Sequence, residues 1–348
     1  MPLSCVPRIF PVFHSREGYI VACRRSLNLE AEVNNPSRTP WALSIACCMI
    51  CSEIPAAPRV CYRPQVRQEE SAGTKNKTVI DMTAAELRLL FPSAPADLSF
   101  DPNQDELSFL LWKVGEKVEA FFRDFSNTSS KEQVRLQRFN YNGRKENSTS
   151  QEFNYLILSH SGKAGLELVE DRVDRKGRPS STKGTSGFFI SAGYAGLSLY
   201  FRPSHQPGSR FRYLGRQTSE PRAHVIAFAQ KTEAGEYLSG YSDANYLEST
   251  GLLLQGIAWV DPDTLQIVRM RTNLLATEHP VHLMEQTTDI RFSEVHFDGI
   301  RQSFWLPREV VVSFKVAGKT YLNRHRYSEY KLFTVESYDK INQPQIKK

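Results

Sequence analysis

Arg308-Glu-Val-Val-Val-Ser-Phe-Lys-Val-Ala-Gly-Lys-Thr-Tyr-Leu-Asn-Arg-His-Arg-Tyr327 reads as two strands joined by a two-residue turn. Val310, Val312, Phe314 and Val316 recur at every second position, with Glu309, Ser313 and Lys315 between them and Val311 as the exception. A period of two places each set on its own face of a pleated strand. Ala317-Gly318 supplies the turn, because glycine enters the left-handed backbone region at no steric cost. A strand pair with one apolar face needs something to cover that face, so the hairpin belongs to a larger layered structure.

The same pattern runs outward through the chain. Residues 252–260 and 265–274 flank Asp261-Pro-Asp-Thr264, where proline presets the turn. Val268, Met270, Thr272 and Leu274 share a face opposite Arg269 and Arg271. Residues 288–297 and 300–305 flank Asp298-Gly299, a strong hairpin signal. Strands are also expected over 134–141, 153–159, 166–173, 223–229 and 330–335, with a hairpin loop at 160–165. Residues 176–184 read as an exposed polar loop, and 187–201 are apolar and fit either a strand or a helix. The expected sum is about ten antiparallel strands in consecutive hairpins, enough for a twisted sheet to curl.

One segment breaks the period. Over 104–125 the apolar residues are Leu107, Leu110, Leu111, Val114, Val118, Phe121, Phe122 and Phe125, a continuous helical stripe. Asp105 and Glu106 fall where a helix dipole favours anions. Thr83-Ala-Ala-Glu86 is a capping box that opens a short helix ending before Pro92. The fold class is therefore mainly β with helices (α+β). An antiparallel meander is curled into a half-barrel or open barrel and covered by the long N-terminal amphipathic helix. The expected organisation is an extension over 1–58, a linker over 59–82, one helix-plus-β domain over 83–336 and a polar tail over 337–348.

The chain has 348 residues, with 44 basic and 38 acidic side chains and a formal net charge of +6. Such a mixed surface excludes wholesale disorder and carries no nucleic-acid signature. No apolar run approaches the roughly 20 residues of a spanning helix. All six cysteines lie at or before Cys61, so the main body holds no internal disulfide. Three of them sit in Trp41-Ala-Leu-Ser-Ile-Ala-Cys-Cys-Met-Ile-Cys51, an apolar run preceded by Arg24, Arg25 and Arg38 and followed by small residues and prolines. Basic, then apolar, then small is the order of a bacterial secretory signal. It starts only at Trp41, so the expected start of translation is a non-Met codon in the 20s or 30s, downstream of Met1. The alternatives are a buried helix in an N-terminal extension and a lipoprotein signal anchored through Cys47. The expected location is periplasmic or secreted.

Catalytic signatures fare poorly. Ser180-Ser-Thr-Lys183 fits S-x-x-K, but Ser242-Asp-Ala-Asn245 is off register and K-T-G is absent, so a polar loop is the simpler reading. Glu278-His-Pro-Val-His282 with Glu285 could gather metal ligands, but Pro280 breaks any helix that would align His279 with His282. Cys48-Met-Ile-Cys51 lacks the second ligand pair that zinc needs. His296 and His325 lie on strands near aromatics, without a partnered nucleophile, and read as structural. No cofactor, metal or catalytic residue is expected.

Gly256-Ile-Ala-Trp-Val-Asp-Pro-Asp-Thr-Leu-Gln-Ile-Val-Arg269 resembles the G-x-x-x-[VI]-D-x-x-T-x-x-[IV]-x-[KR] hairpin of LolA/LppX/RseB-like periplasmic proteins. Phe304-Trp-Leu-Pro-Arg-Glu-Val310 resembles that family's strand–Pro–strand step. Met270-Arg-Thr-Asn-Leu-Leu-Ala276 and Asn323-Arg-His-Arg-Tyr-Ser-Glu-Tyr330 are similar to secreted proteins of soil bacteria. The resemblance covers 104–336. It implies an open β half-barrel plugged by helices, binding lipids or lipoprotein acyl chains.

Two residue sets follow as candidate sites. Trp259, Met270, Phe292, Trp305, Phe314 and Tyr321 either line a lipid cavity or fill the core. Arg269, Arg271, Arg324 and Arg326 either hold an anionic headgroup or lie on a solvated sheet face beside acidic residues. The expected function is an exported, non-enzymatic binder of a lipid or lipoprotein acyl chain. The alternative is a cell-envelope structural or interaction module with a packed core and an envelope protein as its partner.

Overall fold

The structure, a computed structural model, describes residues 77–91, 98–162, 165–174, 193–219, 222–234, 237–243, 248–278 and 282–333. The leader-like run 41–51, Cys47, the Ser180–Lys183 motif with its loop, His279 and the tail 337–348 lie outside the described residues. Helix α1 (Ala84–Leu90) is followed by β1 (Leu98–Phe100) and helix α2 (Asp105–Asp124). Next come β2 (Thr128–Phe139), β3 (Lys145–Gly162) and β4 (Gly165–Val173). Two 3-10 turns, Ala195–Phe201 and Gln206–Gly208, lead to β5 (Ser209–Gln217) and β6 (Ala223–Gln230). Strands β7 (Ser239–Asp243) and β8 (Glu248–Leu252) precede β9 (Leu254–Val260), β10 (Ile267–Leu274), β11 (Leu283–Val295), β12 (Phe304–Val316) and β13 (Lys319–Leu332).

Eleven of these strands form one antiparallel sheet in the order β1-β5-β6-β9-β10-β11-β12-β13-β2-β3-β4, and β7 pairs with β8 apart from it. The sheet is open: β1 and β4 are its two edges among the described residues. That excludes a closed barrel. The strands are not all consecutive hairpins either. The last strand, β13, sits in the interior, with Tyr327 opposite Glu132 and Asn323 opposite Leu136 of β2. The chain then crosses between β4 and β5, nearly from edge to edge. Hairpin signals specify neighbours joined by tight turns. They carry no information on how the two ends of the chain meet.

Several boundaries shift for local reasons. Residues 300–305 and 308–316, expected as two strands, are one strand, β12. Pro307 lacks the amide for a regular ladder, and it sits where the register of β11 slips between Arg291 and Phe292. The Asp298-Gly299 turn is wider than a two-residue loop, spanning 296–303. At Ala317-Gly318 both residues have positive φ, 47° and 76°, as a tight hairpin turn demands. Strand β3 begins at Lys145, and the expected loop at 160–165 shrinks because Gly162 pairs with Gly165. A bulge between Ile267 and Arg269 turns Val268 to the face opposite Met270, against the expected alternation. Of the ambiguous 187–201, residues 195–201 are a 3-10 turn.

The helical stripe of 104–125 is α2, whose Leu110, Val114, Val118 and Phe122 are buried in the main core against the sheet. It follows α1 in the chain, and it does not cover the molecule alone. On the opposite face of β5, β6 and β9 lies a second core, where Val79, Leu87, Phe91 and Leu98 pack on Leu214, Val225, Ile257 and Trp259. Residues 77–82, expected as linker, belong to it: Val79 N–H donates to Gln255 Oε1 at 2.8 Å. Covering both faces explains why every residue of β6 and β9 is buried, whereas β12 alternates. The capping box is present, with Thr83 N–H donating to Glu86 Oε2 at 2.6 Å. Among the described residues no helix is long and apolar enough to cross a membrane.

Candidate functional site

The apolar face under α2 is the first place to look for a ligand. Val114, Val118 and Phe121 of the helix face Ile267, Phe292 and Trp305 of the sheet across a gap of about 30 Å3. Lys117, Ser198 and Gln266 border it. That volume holds about one water molecule. Farther along the helix, Phe121 and Phe125 meet Phe304 at centroid distances of 6.2 and 5.9 Å.

The polar tethers of α2 are unevenly placed. Gln104 exchanges two hydrogen bonds with the Tyr213 backbone, accepting at 2.8 Å and donating at 3.0 Å. Arg216 donates to Glu106 at 2.8 Å, and Gln206 Nε2 donates to the Leu111 carbonyl at 2.9 Å. Arg202 grips Glu119 bidentately at 2.6 and 2.8 Å. The Arg202 hydrogen bonds hold the Glu119 carboxyl below its usual range, outweighing its partial burial. All of these partners lie between 202 and 216. Toward β10, β11 and β12 the helix presents carbon, and Asp124 at its end reaches Gln302.

The six aromatic and methionine candidates divide three ways. Phe292 and Trp305 line the gap. Met270, Phe314 and Tyr321 are buried in the main core, with the Phe314 and Tyr321 rings stacked at 5.3 Å and 10°. Trp259 is on the other face, in the second core, its indole N–H donating to Gln217 at 2.8 Å. Val118 and Phe121 were legible as helix stripe, but nothing in the sequence paired them with Phe292 and Trp305.

The arginine candidates lie on the face away from α2. Arg269 is paired bidentately with Asp289 at 3.0 and 2.6 Å and stacks 4.5 Å above Trp259. Arg271 lies 5.3 Å over Phe91, and burial lowers its pKa. Both are structural supports of the second core. Arg324 and Arg326 are exposed and approach Glu309 at 3.9 and 3.4 Å. The sheet itself stands between these guanidiniums and the gap, so one lipid cannot place its tail in the gap and its headgroup on them.

Sequence reading missed a polar cluster inside the main core. Glu132 on β2 is fully buried and accepts from Arg172 Nε and Nη2 at 2.5 and 2.7 Å, from His325 Nδ1 at 2.8 Å and from the Tyr327 hydroxyl at 2.9 Å. A carboxylate only accepts, so Nδ1 carries the proton. Burial pushes the Glu132 carboxyl up, but the Arg172 charge and the hydrogen bonds from His325 and Arg172 outweigh it and hold the pKa at about 2. Burial lowers the pKa of His325 despite Glu132, leaving it neutral at pH 7. Its Nε2 then accepts from the Tyr194 hydroxyl at 3.1 Å. Glu170 accepts from the Tyr155 hydroxyl and from the backbone of Gly193 and Ala195, and burial raises its pKa. Together these bonds pin the start of the 195–201 turn to β2, β3, β4 and β13. His325 resembles a triad histidine in its bonding, but both ring nitrogens are engaged and the side chain is fully buried.

No protein-family model and no curated protein matches the chain. It is similar to a solved domain from Vibrio parahaemolyticus assigned to outer membrane lipoprotein sorting, at 9% identity and a TM-score of 0.34, covering 66% of this chain and 94% of that one. It is also similar to a DUF1329 family protein from Desulfovibrio piger, at 13% identity and a TM-score of 0.35, covering 67% and 95%.

Proposed function

We propose that this chain is an exported, non-enzymatic protein that binds the acyl chain of a lipid or lipoprotein between α2 and the β10–β12 face. The observation that carries it is the asymmetry of α2, tethered by polar bonds toward 202–216 and resting on aromatic carbon with a residual gap toward β10–β12. A ligand pocket needs roughly 300 Å3 or more. The gap is a tenth of that, so Trp305, Phe292 and the adjoining side of α2 move aside as the chain enters. Each methylene removed from water contributes about 0.8 kcal/mol, which offsets that displacement. Lys117, exposed at the rim, is placed for a carboxylate or phosphate on the ligand. The basic–apolar–small order before residue 59 supports export.

The test is fluorescence titration of a chain whose only remaining tryptophan is Trp305, using dodecanoate brominated along its tail. Saturable quenching, weakened by Ile267→Trp in the gap, is expected. Absence of quenching, together with no organic-extractable mass on the purified protein, sinks the reading. It would favour a packed envelope module, for which the exposed Phe109–Trp112 pair on α2 is the natural contact surface.

A further inference from the structure

The sheet face turned away from α2 carries a second concavity. Strands β13, β2 and β3 form its floor, and it is a solvent-open groove of about 890 Å3. At its centre Arg324 of β13 is the direct cross-strand partner of Arg135 of β2, which is in turn opposite Ser150 of β3. One row along, Arg326 is opposite Gln133, and Gln133 is opposite Glu152. Like charges directly opposite on paired strands destabilise a sheet.

Local compensation is incomplete. Glu309 approaches Arg326 at 3.4 Å and Arg324 at 3.9 Å. One carboxylate therefore serves two guanidiniums, and on the other side it is the register partner of Arg291. Glu152 accepts from Gln133 at 3.4 Å, one row from the centre. Among the described residues no carboxylate lies within ion-pair distance of Arg135.

The geometry points to an anion-binding groove in which Arg135 and Arg324 share one phosphate group of a phosphorylated, hydroxyl-rich molecule. Two adjacent guanidinium forks match the oxygens of a phosphate, and binding there relieves their mutual repulsion. Gln133, Gln137 and Ser150 border the same space and offer both donors and acceptors to hydroxyl groups. Among the described residues no aromatic ring lines the groove, which disfavours an apolar ligand. Its volume lies in the range of small-molecule sites, roughly 300–1,000 Å3. The groove is separated from the acyl gap by the sheet, so the two readings stand or fall independently.

The test is calorimetric titration of the full chain with glucose 6-phosphate and with inorganic phosphate, and co-sedimentation with phosphatidylglycerol vesicles. Glucose 6-phosphate should bind one to one, more tightly than inorganic phosphate and more weakly as salt rises. Arg135→Gln and Arg324→Gln should each weaken it about 10- to 100-fold. Arg308→Gln, outside the groove, should leave it unchanged. Arg135 is exposed, so these variants keep the fold, which circular dichroism checks. Vesicle binding alone, lost in Arg135→Gln, would keep the groove and name a lipid headgroup as the phosphate's source. Equal affinity for both soluble probes would overturn the part assigned to the hydroxyls. Binding that survives both substitutions, or none to any probe, overturns the groove.

Discussion

Glu132→Gln is the sharpest probe of the interior. The substitution keeps the shape of the side chain and removes its charge, leaving Arg172 buried beside a neutral amide. Breaking a buried ion pair from one side costs about 3–5 kcal/mol. The pKa supplies a second route to the magnitude. A carboxyl held at about 2 in the folded chain, against 4.5 when free, contributes about 3 kcal/mol at neutral pH. Because the folded value is depressed, that contribution is complete above 4.5 and is lost as pH falls toward 2. At pH 3 about 2 kcal/mol of it has gone. Urea denaturation of wild type and variant should therefore show a gap of about 3–5 kcal/mol at pH 7 that narrows by up to about 2 kcal/mol at pH 3. His325 acts in the same direction at higher pH, since a buried neutral imidazole forgoes protonation below 6.5. Glu170, raised by burial, acts in the opposite sense. Glu170 is common to wild type and variant and cancels in the difference, whereas His325 loses the Glu132 charge in the variant and its pKa falls further, so about 2 kcal/mol is the upper bound on the narrowing. A gap that stays constant between pH 7 and 3 would refute the assignment of the loss to the Glu132 charge.

Ala317→Asn should stabilise the chain by roughly 0.5–1 kcal/mol in thermal unfolding, because alanine at φ 47° carries strain that asparagine tolerates. Gly256→Ala should destabilise it by about 2–3 kcal/mol, since the new Cβ would lie 2.2 Å from the Arg271 carbonyl oxygen on the adjacent strand. Gly215→Ala should detach β1, seen as faster amide exchange over 98–100, because the Cβ would lie 1.9 Å from the Ser99 carbonyl oxygen at a φ of 121°. Glu119→Gln should loosen α2 from Arg202 and raise the on-rate of the brominated dodecanoate, while leaving glucose 6-phosphate binding unchanged.

Period-two and period-3.6 patterning, with turn residues between, was enough to read the hairpins β9–β10 and β12–β13, the stripe of α2 and the capped start of α1. These are local properties, written in residues a few positions apart. The acyl gap was half legible: Phe292 and Trp305 stood out as large apolar residues, but their partners on α2 are more than 140 positions away in the chain. The Glu132 cluster was not legible, because Arg172, Tyr194, His325 and Tyr327 meet only when β13 docks beside β2. The same docking places Arg135 opposite Arg324 and makes the groove. By itself, then, the sequence determined a β-rich chain with one amphipathic helix and hairpins of known partners, since those depend on local periodicity and turn stereochemistry. Tertiary structure alone decided the strand order, the second core under α1, and which arginines are structural and which are available. Those depend on contacts between distant segments, where burial, register and charge act only after the chain has closed on itself.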